Sequence, residues 1–391
     1  MRNILMFAVC AACFAQQPGT PDPAKIEKEQ TAKFTSEVNV VIAPTTVLDK
    51  HRDYVNGLQL QDFQLYDNGK LQKITEDVHD QPLSLVIAVQ KSANLNEILP
   101  KIQRIGSMLN DLVAGQDGET AVLAFDHRIQ LMQDFTNENQ KISEAMKKLT
   151  PGSSNHAVND AVMEAIRLLK NRGKDRRRVL LLIAEKRDKG SENKLREVLT
   201  AAEFANVAIY SLDISSVVAA ITGTPIPPPP PSIPTAAQHI PAGGAQTPTT
   251  IEQNYYNGNW IPVFVDIFKA VKSIFVDDTL DVFTRFTGGK EYSFVSERSL
   301  ERAVEGISQE LRSQYLLSYV PNNQNEGGFH EIRVTVNRPN LEIRTRPGYW
   351  VAARPEQTSS LVARFWVSRS RTLTPRVADE KRSTRNGFIE N

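Results

Sequence analysis

Residues 83–94, Leu-Ser-Leu-Val-Ile-Ala-Val-Gln-Lys-Ser-Ala-Asn, decide the fold. The first part is an unbroken apolar run rich in β-branched residues, too short for a buried helix and without the alternation of a half-exposed strand. It therefore predicts a fully buried central strand. The polar end opens a predicted helix over residues 96–113, whose apolar residues recur every three to four positions. In open α/β sheets, ligands bind at such turns after the carboxyl ends of strands.

Buried strands and amphipathic helices continue to alternate after this unit. Further strands are predicted at 120–125, 179–183 and 207–212, and further helices at 142–149, 156–170 and 194–205. Strands that alternate with helices of this length indicate a mostly parallel sheet covered on both faces. The predicted fold class is α/β, with this domain over residues 81–312.

Strand patterns lie on both sides of the α/β region, at residues 34–80 and 313–351. The first contains Asp67-Asn68-Gly69-Lys70, a strong signal for the turn of a β-hairpin. Neither segment alone has enough strands to close a core. We therefore expect the α/β domain to be inserted in, or flanked by, one small antiparallel β-sandwich.

The N-terminus has the pattern of a secretory signal peptide over residues 1–15. Arg2 precedes an apolar run, and small residues precede Gln16. Both cysteines, Cys10 and Cys13, lie inside this segment, so cleavage after Ala15 would leave no disulfide. We predict a secreted or periplasmic protein with no transmembrane helix after cleavage; a lipid anchor on Cys13 is the alternative.

Composition excludes some partners and identifies solvated segments. The 391 residues carry a formal net charge of +1, which gives no general attraction to nucleic acid or membrane lipid. Residues 16–33 are predicted to be a flexible leader and residues 215–262 a proline-rich surface insertion, with a docking site for a polyproline-binding partner as the alternative. Residues 352–391 are predicted to be a disordered basic tail, with contact to an anionic surface such as the cell envelope as the alternative.

The flanks of the α/β region carry the most specific motifs. They are VLDKHRDYVNGLQLQDFQLYDNGKLQKI before it, and TGGKEY, ELRSQYLLSYVPN and FHEIRVTVNRPNLEIRTRPGYW after it. With the order of predicted elements, they resemble the von Willebrand factor A-related proteins typical of acidobacteria, over nearly the whole mature chain. The resemblance implies a Rossmann-like A-type domain, although function must be argued from the site.

A-type domains commonly hold Mg²⁺ at a metal-ion-dependent adhesion site, through Asp-x-Ser-x-Ser, a Thr and a further Asp. By this resemblance, the corresponding positions here are Gln90, Ser92, Asn94, His156 and Glu185. Gln90 lacks the carboxylate charge, neighbouring Lys91 has the wrong sign, and His156 and Glu185 fit an oxygen octahedron poorly. We predict a degenerate site with no metal and no other cofactor. The alternatives are retained Mg²⁺ and a transition metal held by His156 and Glu185.

The predicted function is an exported, non-enzymatic module that binds a protein, and not nucleic acid, at the loop end of the A-type domain. The alternatives are an Mg²⁺-dependent adhesion-site binder and a structural cell-envelope scaffold. A hydrolase is least favoured. His156 and Asp160 lie one helical turn apart near Ser153 and Ser154, but no nucleophile-elbow sequence surrounds either serine.

Overall fold

The computed structural model describes residues 40–77, 81–91, 99–109, 114–115, 117–223, 260–269 and 276–351. The predicted signal peptide, the leader and the basic tail lie outside these residues, as do Ser92, Asn94 and residues 224–259 of the predicted insertion. Within the described ranges, no helix is long and apolar enough to cross a membrane.

The strands in chain order are β1 (Val41–Leu48), β2 (Phe63–Asp67), β3 (Lys70–Gln72), β4 (Ile74–Asp77), β5 (Leu83–Gln90), β6 (Glu119–Phe125), β7 (Ile129–Thr136), β8 (Arg177–Ala184), β9 (Val207–Asp213), β10 (Glu291–Ser293), β11 (Tyr315–Tyr319), β12 (Gly328–Val336), β13 (Glu342–Thr345) and β14 (Gly348–Val351). The helices are α1 (Leu99–Leu109), α2 (Asn139–Lys147), α3 (Val158–Lys170), α4 (Leu195–Ala205), α5 (Ser215–Thr222), α6 (Trp260–Lys269), α7 (Thr279–Thr287) and α8 (Glu297–Ser313).

The predicted central strand is β5, inside a six-stranded sheet of order β10-β9-β8-β5-β6-β7. Every residue of β5 is buried, because β6 and β8 pair with it in parallel on its two sides and helices cover both faces. One face packs on α1, α2 and α8, and the other on α3, α4, α6 and α7. Only the edge strand β7 is antiparallel. The predicted α/β fold class is confirmed.

The strands from both ends of the described chain form two four-stranded sheets, β13-β1-β11-β4 and β14-β12-β2-β3. In them β1 pairs antiparallel with β11, and β2 with β12. The predicted hairpin turn joins β2 to β3, and the φ angles of Asn68 (48°) and Gly69 (76°) are both positive, as a type I′ turn requires. A separate apolar core, including Val47, Leu65 and Ile332, lies between the sheets. The antiparallel sandwich of the predicted fold class is therefore present.

One predicted segment differs from the structure. Residues 215–222, assigned to the proline-rich insertion as extended chain, form helix α5, so that part of the prediction was wrong. The sequence Ser-Ser-Val-Val-Ala-Ala-Ile-Thr lacks proline, and Val217 and Val218 join the core on one face of the large sheet. The proline-rich composition of the residues that follow led to the prediction of extended chain for this short helix as well. On the other side, α6 begins at Trp260.

Helix α6 joins the α/β domain to the sandwich through aromatic contacts. The Phe268 ring stacks on Trp350 of β14 at a centroid distance of 5.1 Å, and Phe264 stacks on Phe329 of β12 at 6.2 Å. Beside them, the Trp350 backbone N–H donates to the Glu203 carboxylate on α4 over 3.0 Å. Burial raises the pKa of Glu203 to about 7. The two units therefore share a packed interface.

Candidate functional site at the loop end of the sheet

The strand order changes direction between β5 and β8. From β5 the chain continues to β6 on one side, and then crosses to β8 on the other. A crevice forms outside the carboxyl ends of strands at such a switch point, where open α/β sheets bind ligands. Gln90 is the last residue of β5 and Glu185 follows β8, so these two residues face each other across the crevice.

The side-chain amide of Gln90 closes this crevice. Its Nε2 donates to Glu185 Oε1 over 2.7 Å, and its Oε1 accepts from the Glu185 backbone N–H over 2.8 Å. Gln90 is fully buried. Both ends of the amide are therefore used by one residue, an arrangement that we call the Gln90–Glu185 clasp. Lys189 lies farther from this carboxylate, with Nζ 3.9 Å from Oε2.

His156 lies beside the clasp and precedes helix α3. Its backbone carbonyl accepts from Lys189 N–H over 2.9 Å, and its Nε2 donates to the Arg187 carbonyl over 2.9 Å. The ring is fully buried, and among the described residues its Nδ1 has no hydrogen-bond partner. Burial lowers the pKa of His156 more than the nearby Glu185 charge raises it. The neutral ring is therefore favoured.

The N-terminus of α3 is occupied by the loop after β8. Asp188 Oδ1 accepts from the backbone N–H groups of Val158 (2.7 Å) and Asn159 (3.2 Å). Asp160 turns its carboxylate to the backbone N–H groups of Glu192 and Asn193, away from His156. The Ser-His-Asp arrangement considered for a hydrolase therefore does not form from these residues.

Asp126 organises the other side of the crevice, at the end of β6. Its Oδ1 accepts from the Arg128 N–H over 2.8 Å, and its Oδ2 from the Ser153 N–H over 3.2 Å. Burial acts to raise the pKa of Asp126, but these bonds and the Lys91 charge outweigh it and lower the pKa. Gly152 is required here, because an added Cβ would lie 2.8 Å from both Asp126 Oδ2 and Lys91 Cβ.

Toward β9 and β10, a lysine neutralises the acidic groups. Lys186 Nζ lies 2.5 Å from Asp278 Oδ2, 3.0 Å from Glu291 Oε1 and 3.9 Å from Asp213 Oδ2. Burial acts to lower the pKa of Lys186, but these carboxylates outweigh it and raise the pKa. The ammonium group therefore supplies the positive charge that these carboxylates need.

The described residues do not fit the cation of an adhesion site. Three predicted site residues, Gln90, His156 and Glu185, lie at the same loop end. However, Gln90 directs an N–H group at Glu185, and its own oxygen is already bonded. Mg²⁺ needs several oxygen ligands with carboxylate charge. Across the described ranges, no group of three or more His, Cys, Asp or Glu is arranged to hold a metal.

Sequence reasoning missed Asp126 and Asp188. The signal that identified Gln90, a polar residue directly after a buried strand, applies equally to Asp126 after β6. No comparable signal exists for Asp188, since it binds the N-terminus of a helix that lies about thirty residues earlier in the chain.

Two features of the α/β domain agree with the resemblance of the sequence. The large sheet is parallel except for the edge strand β7, and the positions Gln90, His156 and Glu185 lie together at its switch point. The arrangement is consistent with the Rossmann-like A-type domain that the resemblance implies, and we refer to it as the A-type domain.

No family model matches the sequence, and no curated protein matches it. Solved structures do match parts of the chain. One is the conserved hypothetical protein BatB from Bacteroides thetaiotaomicron (16% identity, 34% of this chain and 66% of that chain, TM-score 0.28). Another is the vWF domain of the type V pili tip protein Mfa5 from Porphyromonas gingivalis (14%, 28% and 39%, 0.25). A third is proximal thread matrix protein 1 from the mussel byssus with a zinc-occupied MIDAS motif (13%, 61% and 47%, 0.39). This chain spans less than two thirds of the length of each of these three chains.

Proposed function

We propose that the chain is an exported, non-enzymatic protein-binding module, and that its A-type domain binds the partner at the loop end without a metal ion. The Gln90–Glu185 clasp carries this proposal. It places a neutral amide against the Glu185 carboxylate, and two hydrogen bonds join the ends of β5 and β8 without a cation.

Energetics favour the clasp over a bound cation. A hydrogen bond to a charged group contributes about 1.5–3 kcal/mol to stability. Binding of Mg²⁺ to Glu185 would break the bond from Gln90 Nε2 and leave that buried amide N–H without an acceptor, which costs free energy. Among the described adhesion-site positions, Gln90, His156 and Glu185, only Glu185 would then bring negative charge, whereas Mg²⁺ gives up its water reluctantly. The proposed partner is therefore a protein that contacts the loop end directly.

The test compares thermal melting of the wild type with that of a variant carrying the family pattern, Gln90→Asp, Asn94→Ser, His156→Thr and Glu185→Asp. Mg²⁺ should raise the melting temperature of the variant, because a ligand at a hundredfold excess over its dissociation constant stabilises the folded state by about 2.7 kcal/mol. EDTA should reverse the rise. The wild type should show no rise, and neither should a control, Gln140→Asp, which adds a carboxylate on the exposed face of α2. A Mg²⁺-dependent rise in the wild type would overturn the metal-free proposal.

Partner binding is tested by capture from envelope extract on immobilised full-length protein, with and without EDTA. The same proteins should be captured in both conditions. Capture that disappears in EDTA would favour a metal-gated binder, and capture of nothing by the wild type would argue against a binding module.

Export is tested by mass spectrometry of the mature N-terminus. The proposal requires a chain that begins at Gln16. An intact Met1, or a lipid on Cys13, would contradict it.

A further inference from the structure

The loop end of the A-type domain offers unneutralised positive charge on the side of β5 and β6. We infer that Arg128, which is exposed, binds a carboxylate-bearing segment of the partner directly, and that the largely buried Lys91 beside it adds positive charge. This inference rests on the proposed function and names the chemistry of the partner.

The two cations follow adjacent strands of the sheet. Lys91 comes directly after β5, and its backbone N–H donates to the Phe125 carbonyl at the end of β6 over 2.6 Å. Arg128 lies in the turn after β6, where Asp126 fixes its backbone. Both side chains therefore start from the same edge of the crevice.

Neither cation forms a close ion pair among the described residues, although the Lys91 charge does act on Asp126. Lys91 Nζ donates to the neutral amide oxygen of Gln130 over 2.8 Å. Arg128 Nε donates to His127 Nε2 over 2.9 Å, which requires that this ring nitrogen carries no proton. Asp126 is the nearest acid, but its side chain is only 10% exposed and both oxygens already accept backbone N–H groups.

The guanidinium group of Arg128 is held in place before any partner arrives. His127 Nε2 accepts from Arg128, while His127 Nδ1 lies 2.9 Å from Ser153 Oγ. Ser153 Oγ in turn donates to the Asn155 carbonyl over 3.0 Å. This chain of bonds leaves the terminal N–H groups of Arg128 without a partner within the described residues, and a guanidinium binds carboxylates through two parallel bonds.

The acidic residues nearby do not compete for these cations. Glu185 is bonded within the clasp, Asp188 binds the N-terminus of α3, and Asp213 lies against Lys186. A segment rich in Asp or Glu would therefore meet the exposed guanidinium of Arg128, which forms no ion pair with a described carboxylate. Such complementarity speeds association and selects partners.

The direct test uses full-length protein and a fluorescently labelled octaglutamate peptide, with octaglutamine as the neutral control. We expect octaglutamate to bind, octaglutamine not to bind, and binding to weaken as salt rises because exposed charges are screened. Arg128→Glu should weaken binding at least tenfold, and Lys91→Met should weaken it to a smaller extent. Arg298→Glu makes the same charge change at an exposed position on α8 and should have little effect.

Three results would overturn the inference. They are no binding of octaglutamate, equal loss in Arg128→Glu and Arg298→Glu, and tighter Arg128-dependent binding of anionic lipid vesicles or single-stranded DNA than of octaglutamate. Unchanged melting temperatures establish that the variants remain folded.

Capture from envelope extract separates this inference from the proposed function. Loss of the captured protein in Arg128→Glu, with retention in Arg298→Glu, supports both. Capture that persists in Arg128→Glu overturns the inference alone, whereas absence of capture by the wild type overturns the proposed function.

Discussion

Two buried polar networks in this chain each contain a carboxylate, an amide and a histidine, and they differ in whether both ring nitrogens of the histidine are hydrogen-bonded. In the sandwich, Asp67 accepts from His330 Nδ1 (2.7 Å), Asn323 Nδ2 (2.9 Å), Tyr319 OH (2.9 Å) and Tyr349 OH (2.6 Å). The other ring nitrogen of His330 donates to the Glu326 carbonyl over 2.8 Å. At the loop end, by contrast, the ring of His156 has one bonded nitrogen and one that is unpartnered among the described residues.

The two histidines show what the difference means chemically. Burial acts to lower the pKa of both rings. For His330 the Asp67 carboxylate outweighs burial and the pKa is raised, so the charged imidazolium is favoured. For His156 burial outweighs the effect of the nearby Glu185 charge, and the pKa is lowered. Asp67 therefore joins four residues of the sandwich, whereas the His156 ring links the start of α3 to the Arg187 carbonyl.

The largest expected effect comes from deleting residues 40–77. This deletion removes two of the four strands in each sheet of the sandwich, and with them Asp67. Since β11 would lose both of its pairing partners, and β12 would keep only the short strand β14, both strands should lose their protection from hydrogen exchange. The amides of β5 and β8, in the large sheet, serve as the internal comparison. Retained protection in β11 and β12 would show that the terminal strands do not depend on each other.

Asp67→Ala should give the next largest effect. It leaves the His330 imidazolium and two tyrosine hydroxyls without their acceptor, and breaking a buried charge pair costs about 3–5 kcal/mol of unfolding free energy. Urea unfolding measures the change. Asp53→Ala, at an exposed loop position, is the matched control and should change stability by less than about 0.5 kcal/mol. A similar loss of unfolding free energy in both variants would show that the buried bonds of Asp67 make no particular contribution to stability.

The pH dependence of the stability difference between the wild type and Asp67→Ala supplies a further control. A raised pKa of folded His330 means that its contribution is fully present below the unfolded pKa, about 6.5, and is lost as pH rises through the folded pKa. The wild type should therefore lose this part of its stability advantage over the variant as pH increases from about 6.5 through the raised pKa of folded His330.

The sequence predicted the helices and strands better than it predicted which side chains form hydrogen bonds with each other. The run Leu83–Gln90 and the Asn68-Gly69 turn each have one low-energy solution, a buried strand and a type I′ hairpin, so both predictions were confirmed. Period-two alternation also places Asp67 on the same inward face as Phe63 and Leu65, and this signal of a buried carboxylate was overlooked. Sequence reasoning placed Gln90 and Glu185 at the ends of strands. It could not show that the amide bonds to Glu185, because that choice depends on side-chain geometry across two strands.

Glu185→Gln should have the smallest effect of the three substitutions or deletions considered. It keeps the size of the side chain and its backbone N–H bond to Gln90, but replaces a charged acceptor by a neutral one. We expect a loss of about 1 kcal/mol in unfolding free energy, the difference between charged and neutral hydrogen bonds. A loss as large as that of Asp67→Ala would mean that the loop end constrains the fold as strongly as the sandwich does.

The position of the A-type domain in the chain has a mechanical consequence. The chain leaves the sandwich after β4 and returns at β11, and these strands are paired, with Asp77 opposite Leu317. In the same sheet, β1 pairs directly with β13, which leads to β14. Tension between the two ends of the sandwich would therefore pass through β1, β13 and β14, and would not stretch the six-stranded sheet. The loop end would keep its geometry on a tethered chain under load, because the domain is a side branch of the path that carries the force.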